Sequence, residues 1–199
     1  MVILDMGSGN TCQNDIDKVK DMIDAVAESG IDAVLKWQLF LDAPPNTPLK
    51  RDVFRYAYEY AAEKSLKTTA SFFDVDSMNF LLSFDVPFVK IANRTSLRPM
   101  AALMGSVPIF VSYQSSNKIK GGRVKPMCCV SRYPADVADY ERLFKPEHLV
   151  KGISDHTVGL ELYHKYQPER WEKHFVLERD KKNPDAGPFA ITPKELEEL

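Results

Sequence analysis

Short apolar runs alternate with stretches whose apolar residues recur at helical spacing, and the alternation continues almost from one end of the chain to the other. Residues 2–6 read as a first strand, which gives way to Gly7-Ser8-Gly9-Asn10. Ile16, Val19, Ile23 and Val26 then recur at 3, 4 and 3 residues. That spacing is one face of a helix, and Gly30 is placed to end it. Residues 33–37 form a second strand, the prolines of residues 42–48 mark a loop, and Leu49, Val53, Tyr56 and Tyr60 set the face of a second helix. Strand three falls near residues 67–72, with a short helix after Asp76. Strand four spans residues 87–91 and is followed by a helix ending near Gly105; strand five spans residues 108–112. Residues 113–125 are polar and Gly-rich, which predicts a missing helix. Strand six is residues 126–130, followed by a helical pattern on Val137, Tyr140 and Phe144. Residues 149–154 are strand seven and residues 171–175 strand eight. Thr192-Pro193-Lys194-Glu195 has the form of a capping box with proline at the first helical position, opening a final helix over residues 192–199.

Eight strands interleaved with helices predict a compact (β/α)8 TIM barrel with some shortened or missing helices; a doubly wound open sheet uses the same repeat and is the alternative. At 199 residues the barrel is lean against a typical ~250. No linker divides residues 1–199, so one domain is expected. The final helix has only about eight residues to cover the seam between strands eight and one. Either a partner subunit covers that seam, making a homodimer, or stability is reduced.

Net charge is −2, so there is no global electrostatic case for nucleic acid or an anionic membrane, and any anion site must be local. The cysteines are Cys12, Cys128 and Cys129. An odd number, with two adjacent in an apolar strand, argues against a disulfide framework and for a reducing, cytoplasmic compartment. No apolar run approaches the ~20 residues of a membrane span. The start lacks a basic segment and reads as a strand, so no signal peptide is expected.

Catalytic groups of such a barrel sit at the C-terminal ends of its strands. Those ends carry Asp5, Lys36 with Gln38, Ser71 with Asp74, Lys90 with Asn93, Ser112, Ser131 with Tyr133, Ser154 with Asp155 and His156, and Glu172 with His174. His156 and His174 lie 18 residues apart, at or just past the last two strands. Neutral imidazole is the commonest protein ligand for a transition metal, so the two propose a metal site; unrelated polar residues are the alternative. Lys36 and Lys90 end apolar strands, where an unpaired ammonium is costly. An anion such as phosphate would satisfy them, helped by Ser71, Ser112 and Ser154; so would carboxylates on neighbouring strands, or escape to water. A Schiff-base lysine fits the same positions. Asp5 reads equally as general base, metal ligand or helix cap. Tyr133 lines a pocket or simply packs, and Cys129 is a small buried residue or a soft metal ligand. His148 and His164 fall in surface contexts, and the basic run over residues 118–125 reads as a solvated loop or a phosphate-recruiting one.

These segments, in order, resemble the N-acetylneuraminate (sialic acid) synthase family, which includes legionaminate and pseudaminate synthases. Lys36-Trp37-Gln38 is similar to the family's Lys-Phe-Gln, Ala70-Ser71-Phe72-Phe73-Asp74 to Ser-Thr-Pro-Phe-Asp, and Val89-Lys90-Ile91-Ala92 to Tyr-Lys-Ile-Ala. Cys129-Val130-Ser131-Arg132-Tyr133-Pro134 is similar to Cys-Val-Ser-x-Tyr-Pro. Ser154-Asp155-His156-Thr157-Val158-Gly159 and Glu172-Lys173-His174-Phe175 match almost letter for letter, and Pro184-Asp185 echoes a Gly-Pro-Asp-His tail. The resemblance implies condensation of phosphoenolpyruvate with an open-chain N-acetylhexosamine, typically N-acetylmannosamine. It implies His156 and His174 as ligands of a divalent ion, manganese or magnesium, and Lys36, Ser71, Lys90, Asn93, Ser112 and Ser154 as phosphoenolpyruvate contacts. It further implies Asp5, Lys36 and Lys90 as catalytic residues and Gln38, Tyr133 and Asp185 on the sugar side. The chain departs from the family in Gly9-Asn10-Thr11-Cys12 for Asn-His-Asn-Gly, Asn93 for a phosphate-binding serine, Tyr113-Gln114 for Thr-Gly, and Ala186 for the histidine after Pro-Asp. The family's C-terminal antifreeze-like domain lies outside the resemblance. Phosphoenolpyruvate and metal contacts are therefore better kept than sugar contacts, and a homologue that binds without turnover is the alternative.

Overall fold

The computed structural model describes residues 1–40, 44–114 and 123–199. Eight parallel strands close into a barrel in chain order: β1 (Val2–Gly7), β2 (Ala33–Leu39), β3 (Lys67–Phe72), β4 (Val89–Ile91), β5 (Ile109–Tyr113), β6 (Val124–Cys129), β7 (Ile153–Asp155) and β8 (Trp171–His174). The ring shuts where β8 pairs with β1, from Val2 opposite Trp171 to Asp5 opposite His174. The fold is the (β/α)8 barrel, and the open sheet is excluded.

Side chains alternate across each strand, so every strand carries two programmes. One set faces the surrounding helices and is apolar: Leu4, Met6, Leu35, Trp37, Val89, Ile91, Val111 and Ile153 all join the main core. The other set begins with a separate apolar cluster of Ile3, Val34, Phe88, Phe110 and Met127, in which the two phenylalanine rings stack at 4.1 Å. Two residues further along the same five segments stand Asp5, Lys36, Lys90, Ser112 and Cys129, all buried. The interior is thus plugged at its N-terminal end and becomes polar one layer higher. That is the layering expected of a packed barrel whose chemistry sits at the strand ends.

The helix Ile16–Ser29 is capped by Asp15, whose side chain accepts from Asp17 N at 2.9 Å, and ends at Gly30 with φ 72°. It buries Val19, Met22, Ile23 and Val26, while Ile16 stays exposed. In the helix Arg51–Glu63 the buried face is Val53, Phe54, Ala57 and Ala61 rather than the predicted tyrosine face. Tyr56 and Tyr60 instead stack on each other at its margin, with the Tyr60 hydroxyl bonded to Asp24 at 2.7 Å, because a tyrosine can leave its polar end in water. Residues 149–154 are not one strand. Pro146–Lys151 is a helix that buries Leu149 and stops at Gly152, so β7 is short. The connection after β4 is a 3-10 helix, Thr95–Leu103, with Pro99 inside it; proline removes a backbone donor that an α-helix needs. The polar stretch after β5 and most of the basic run lie outside the described residues, as does the first part of the loop predicted at 42–48. The final helix is Pro193–Leu196, half the predicted length, and its Thr192–Glu195 capping box is present. Leu196 is fully buried, and this helix packs against Ile16–Ser29. All three cysteines are free, and no helix among the described residues is long and apolar enough to cross a membrane.

Candidate active site

At the C-terminal end of the strands lies a cavity of about 500 Å³. Its wall contains all twelve residues to which the family resemblance gives a site role: Asp5, Lys36, Gln38, Ser71, Lys90, Asn93, Ser112, Tyr133, Ser154, His156, His174 and Asp185. The barrel therefore gathers positions that are up to 180 residues apart in the chain. His148 and His164 are exposed and remote from it.

β1 ends in a bulge between Asp5 and Gly7. Gly7 has φ 76°, and a Cβ there would collide with Thr11 and crowd Asp185, so only glycine fits. The Gly7 N–H donates to Asp5 Oδ1 at 3.0 Å, which fixes the carboxylate facing inward. Lys36 donates to Asp5 Oδ2, and Gln38 Nε2 bridges Asp5 Oδ2 (3.2 Å) and Asp185 Oδ1 (3.2 Å). Burial pushes the Asp5 carboxyl up, but the Lys36 ammonium beside it wins and holds it well below the usual carboxylate range. Asp5 is therefore an anion, tied to a lysine and a glutamine. The alternative reading of it as a helix cap is set aside, since Ser8 caps the short helix Gly9–Cys12.

Lys90 donates to Ser112 Oγ at 2.8 Å and to Glu172 Oε1 at 3.1 Å. Glu172 also receives Ser154 Oγ at 3.2 Å and stands 3.6 Å from Lys36 Nζ. Burial works against a charge on Glu172, yet Lys36 and Lys90 together lower its pKa. Both lysines thus pair with carboxylates of other strands, the second of the three solutions open to them from sequence. Burial disfavours the Lys36 ammonium, but Asp5 and Glu172 overcome that and raise its pKa. A Schiff-base lysine needs the opposite shift, towards the free amine, so Lys36 does not suit that role. Ser71 Oγ bonds weakly to the Trp37 carbonyl at 3.4 Å, and Asn93 Nδ2 donates to Ser131 Oγ at 2.9 Å.

The two imidazoles are neighbours, with ring centroids 5.8 Å apart. His156 Nδ1 is 2.7 Å from the Val130 carbonyl, which fixes that nitrogen as the N–H and leaves Nε2 as an acceptor. Burial and the nearby His174 lower its pKa to about 3, so the ring is neutral near pH 7. His174 Nδ1 is buried with no hydrogen-bond partner among the described residues, and its Nε2 lies 3.6 Å from Asp5 Oδ2. Two imidazoles, one with an orphaned buried nitrogen, beside carboxylates suit a divalent cation in donor chemistry. Among the described residues no three His, Cys, Asp or Glu side chains form a complete cluster, so substrate or water oxygens would have to finish the shell. Cys129 lines the same cavity, but burial pushes its thiol up to about 11, which leaves it a neutral thiol and a poor soft ligand. Tyr133 is half exposed at the rim, over His156 at 4.1 Å and against Phe189 at 5.1 Å.

Arg94 in the wall and Phe189 beside it escaped the sequence reading, and Glu172 was named there without a role. Glu172 was placed at the end of strand eight with His174, two residues before it on the same face, but its pairing with the lysines was not foreseen. Arg94 lies beyond the end of β4, where no periodicity reports orientation; its guanidinium sits 5.0 Å over the Phe73 ring. Phe189 packs 5.0 Å from His174 and left no signal in the pattern.

No family model and no curated protein matches the chain in sequence. Solved structures match it in shape. The N-acetylneuraminic acid (sialic acid) synthetase of Leptospira borgpetersenii serovar Hardjo-bovis superposes with a TM-score of 0.79 at 21% identity, over 99% of this chain and 80% of that one. The spore coat polysaccharide biosynthesis protein spsE of Bacillus subtilis gives 0.79 at 21%, over 100% of this chain and 65% of that one. The barrel has the fold of sialic acid synthetase. A phospho-2-dehydro-3-deoxyheptonate aldolase (DAHP synthase) of Thermotoga maritima follows at 0.69 and 13%, over 100% of this chain and 67% of that one.

Proposed function

We propose that the chain is a phosphoenolpyruvate-condensing sugar acid synthase of the sialic acid synthase type, joining phosphoenolpyruvate to an N-acetylhexosamine such as N-acetylmannosamine. The observation that carries this is the division of one cavity into a lysine and hydroxyl side and an imidazole and carboxylate side. Lys90, with Ser112, Asn93 and Ser154, would bind the phosphoenolpyruvate oxyanions, and Lys36 and Ser71 would complete that contact. His156 and His174 would hold a divalent ion, manganese or magnesium, whose chemistry is Lewis-acid polarisation of the sugar aldehyde. Gln38, Asp185 and Tyr133 would orient the sugar. Carbon 3 of phosphoenolpyruvate then attacks the aldehyde carbon, water adds at carbon 2, and the bond from carbon 2 to the phosphate oxygen breaks to release inorganic phosphate and a 2-keto-3-deoxy acid. Asp5 and Lys36, in direct contact, would supply the proton that the new hydroxyl needs. Positioned charge of this kind is usually the largest catalytic contribution.

A homologue that binds without turnover is the second reading. It is favoured by the turn after β1, where Asn10 is spent on the Pro45 carbonyl and Cys12 is buried, leaving no imidazole there. Phosphate release decides between them. Synthase activity requires release only when phosphoenolpyruvate, an N-acetylhexosamine and manganese or magnesium are all present. Binding of phosphoenolpyruvate with silence across a panel of N-acetylhexosamines establishes the second reading.

A further inference from the structure

The two sequence motifs that end β7 and β8 each contribute an ionisable residue to which no role has been given, Asp155 and Lys173. Strand alternation turns both away from the cavity, and both are fully buried. Asp155 Oδ2 is 3.2 Å from Lys173 Nζ and accepts from Trp171 Nε1 at 3.0 Å. Asp155 Oδ1 accepts from the Thr157 N–H at 2.8 Å and the Thr157 hydroxyl at 2.7 Å. Lys173 Nζ donates to the Thr157 carbonyl at 2.6 Å.

The location of this set in the register gives it a purpose. β7 and β8 pair at Ile153 with Trp171, Ser154 with Glu172, and Asp155 with Lys173, and the ladder ends there. His156 and His174 come immediately after that last pair. On its far side His174 is held by β1, opposite Asp5, and His156 is held by its carbonyl bond from Ala135 N at 2.8 Å and its ring bond to Val130. Between the two histidines no further ladder pair joins the strands. Asp155, Lys173 and Thr157 join them instead, from behind.

We propose that Asp155, Lys173 and Thr157 act as a positioning clamp that sets the separation of the two imidazoles. This rests on the reading of His156 and His174 as paired ligands. A buried ion pair is poor evidence of stabilisation in itself, because apolar residues of similar volume often serve as well. What apolar residues cannot supply is the tie from β8 to the Thr157 carbonyl, which fixes the turn that carries His156. Support around metal-binding imidazoles commonly governs affinity by ten- to a hundredfold.

The test separates positioning from stability. The double variant Asp155→Leu with Lys173→Met removes the charges together. It is expected to melt within a few degrees of the parent, to bind manganese about ten- to a hundredfold more weakly by calorimetry, and to lose the magnetic cross-relaxation between the His156 and His174 ring protons. Unchanged cross-relaxation and unchanged manganese affinity in the folded double variant overturn the clamp. Thr157→Val is the milder companion should the double variant fail to fold; it removes one bond to Asp155 and is expected to weaken manganese about threefold, and no change at all counts against the clamp. If the parent binds no manganese, the metal reading falls, and the ring cross-relaxation alone decides the clamp.

Discussion

The two sides of the cavity are built from the same strand positions and carry opposite chemistry. On β4 and β5 and the turns beyond β4 and β6 the inward groups are Lys90, Asn93, Arg94, Ser112 and Ser131, cations and hydrogen-bond donors with no carboxylate among them. On β8, β1 and the segment after β8 they are Glu172, His174, Asp5 and Asp185, joined by His156 from the turn after β7. A phosphate dianion suits the first side and a divalent cation the second. The lysines connect the two, Lys36 lying against Asp5 and Lys90 reaching across to Glu172. The cavity wall as a whole is balanced, with Lys36, Lys90 and Arg94 against Asp5, Glu172 and Asp185. The difference teaches that selectivity here comes from separating charges within one cavity, since the chain as a whole is nearly neutral.

Lys90 is the strongest point at which to break that separation. Lys90→Met removes the central cation of the phosphate side, and kcat/KM for phosphoenolpyruvate is expected to fall about a thousandfold, the upper range for losing one preorganised donor. It also leaves Glu172 with Lys36 alone, 3.6 Å away. Urea unfolding should therefore show a loss of about 3 kcal/mol, the cost of an uncompensated buried charge. Manganese affinity, measured separately, should change little.

His174→Ala is the reciprocal experiment on the other side. Manganese affinity is expected to fall about a hundredfold, since half of the imidazole pair is gone, while the Kd for phosphoenolpyruvate in the absence of metal stays within about threefold. A parallel loss of both would mean that the two sides are one site.

Glu172→Gln probes the bridge between them. Neutralising this carboxylate frees Lys90 from its charged partner, so inorganic phosphate should bind about tenfold more tightly by calorimetry, or roughly 1.4 kcal/mol. Turnover should fall in the same variant, because Lys36 then has Asp5 as its only close carboxylate. Tighter phosphate with slower product formation is the signature of a bridge; weaker phosphate binding would make Glu172 part of the anion site.

The sequence showed the barrel because strand periodicity and turn residues repeat through the chain, and it showed which side chains share one cavity because a barrel brings every strand end to one mouth. The pairing inside that mouth was not legible. Whether Lys90 faces phosphate or Glu172 depends on barrel closure, which sets β4 across from β8, and no local pattern reports it. The strand expected at residues 149–154 failed for a related reason. Leu149, Val150 and Ile153 are apolar in either state, and only Pro146 and Gly152 mark the helix that claims the first two. At the second helix the tyrosines misled because an aromatic ring counts as apolar in a periodicity while its hydroxyl seeks water.

Arg94 gives the smallest effect and the finest test of how far the cationic side extends. Its guanidinium rests over Phe73, and among the described residues no carboxylate lies within ion-pairing distance. It is also exposed at the mouth, where water and salt weaken any contact it makes. Arg94→Ala should therefore weaken inorganic phosphate by only about fivefold, close to 1 kcal/mol. The difference should vanish in about 1 M salt, where the screening length is roughly 3 Å. Lys90→Met should keep most of its effect under the same conditions, because Lys90 is buried and screened far less. If salt erases both effects equally, phosphate meets these groups only at the surface, and the buried side of the cavity is not where the anion binds.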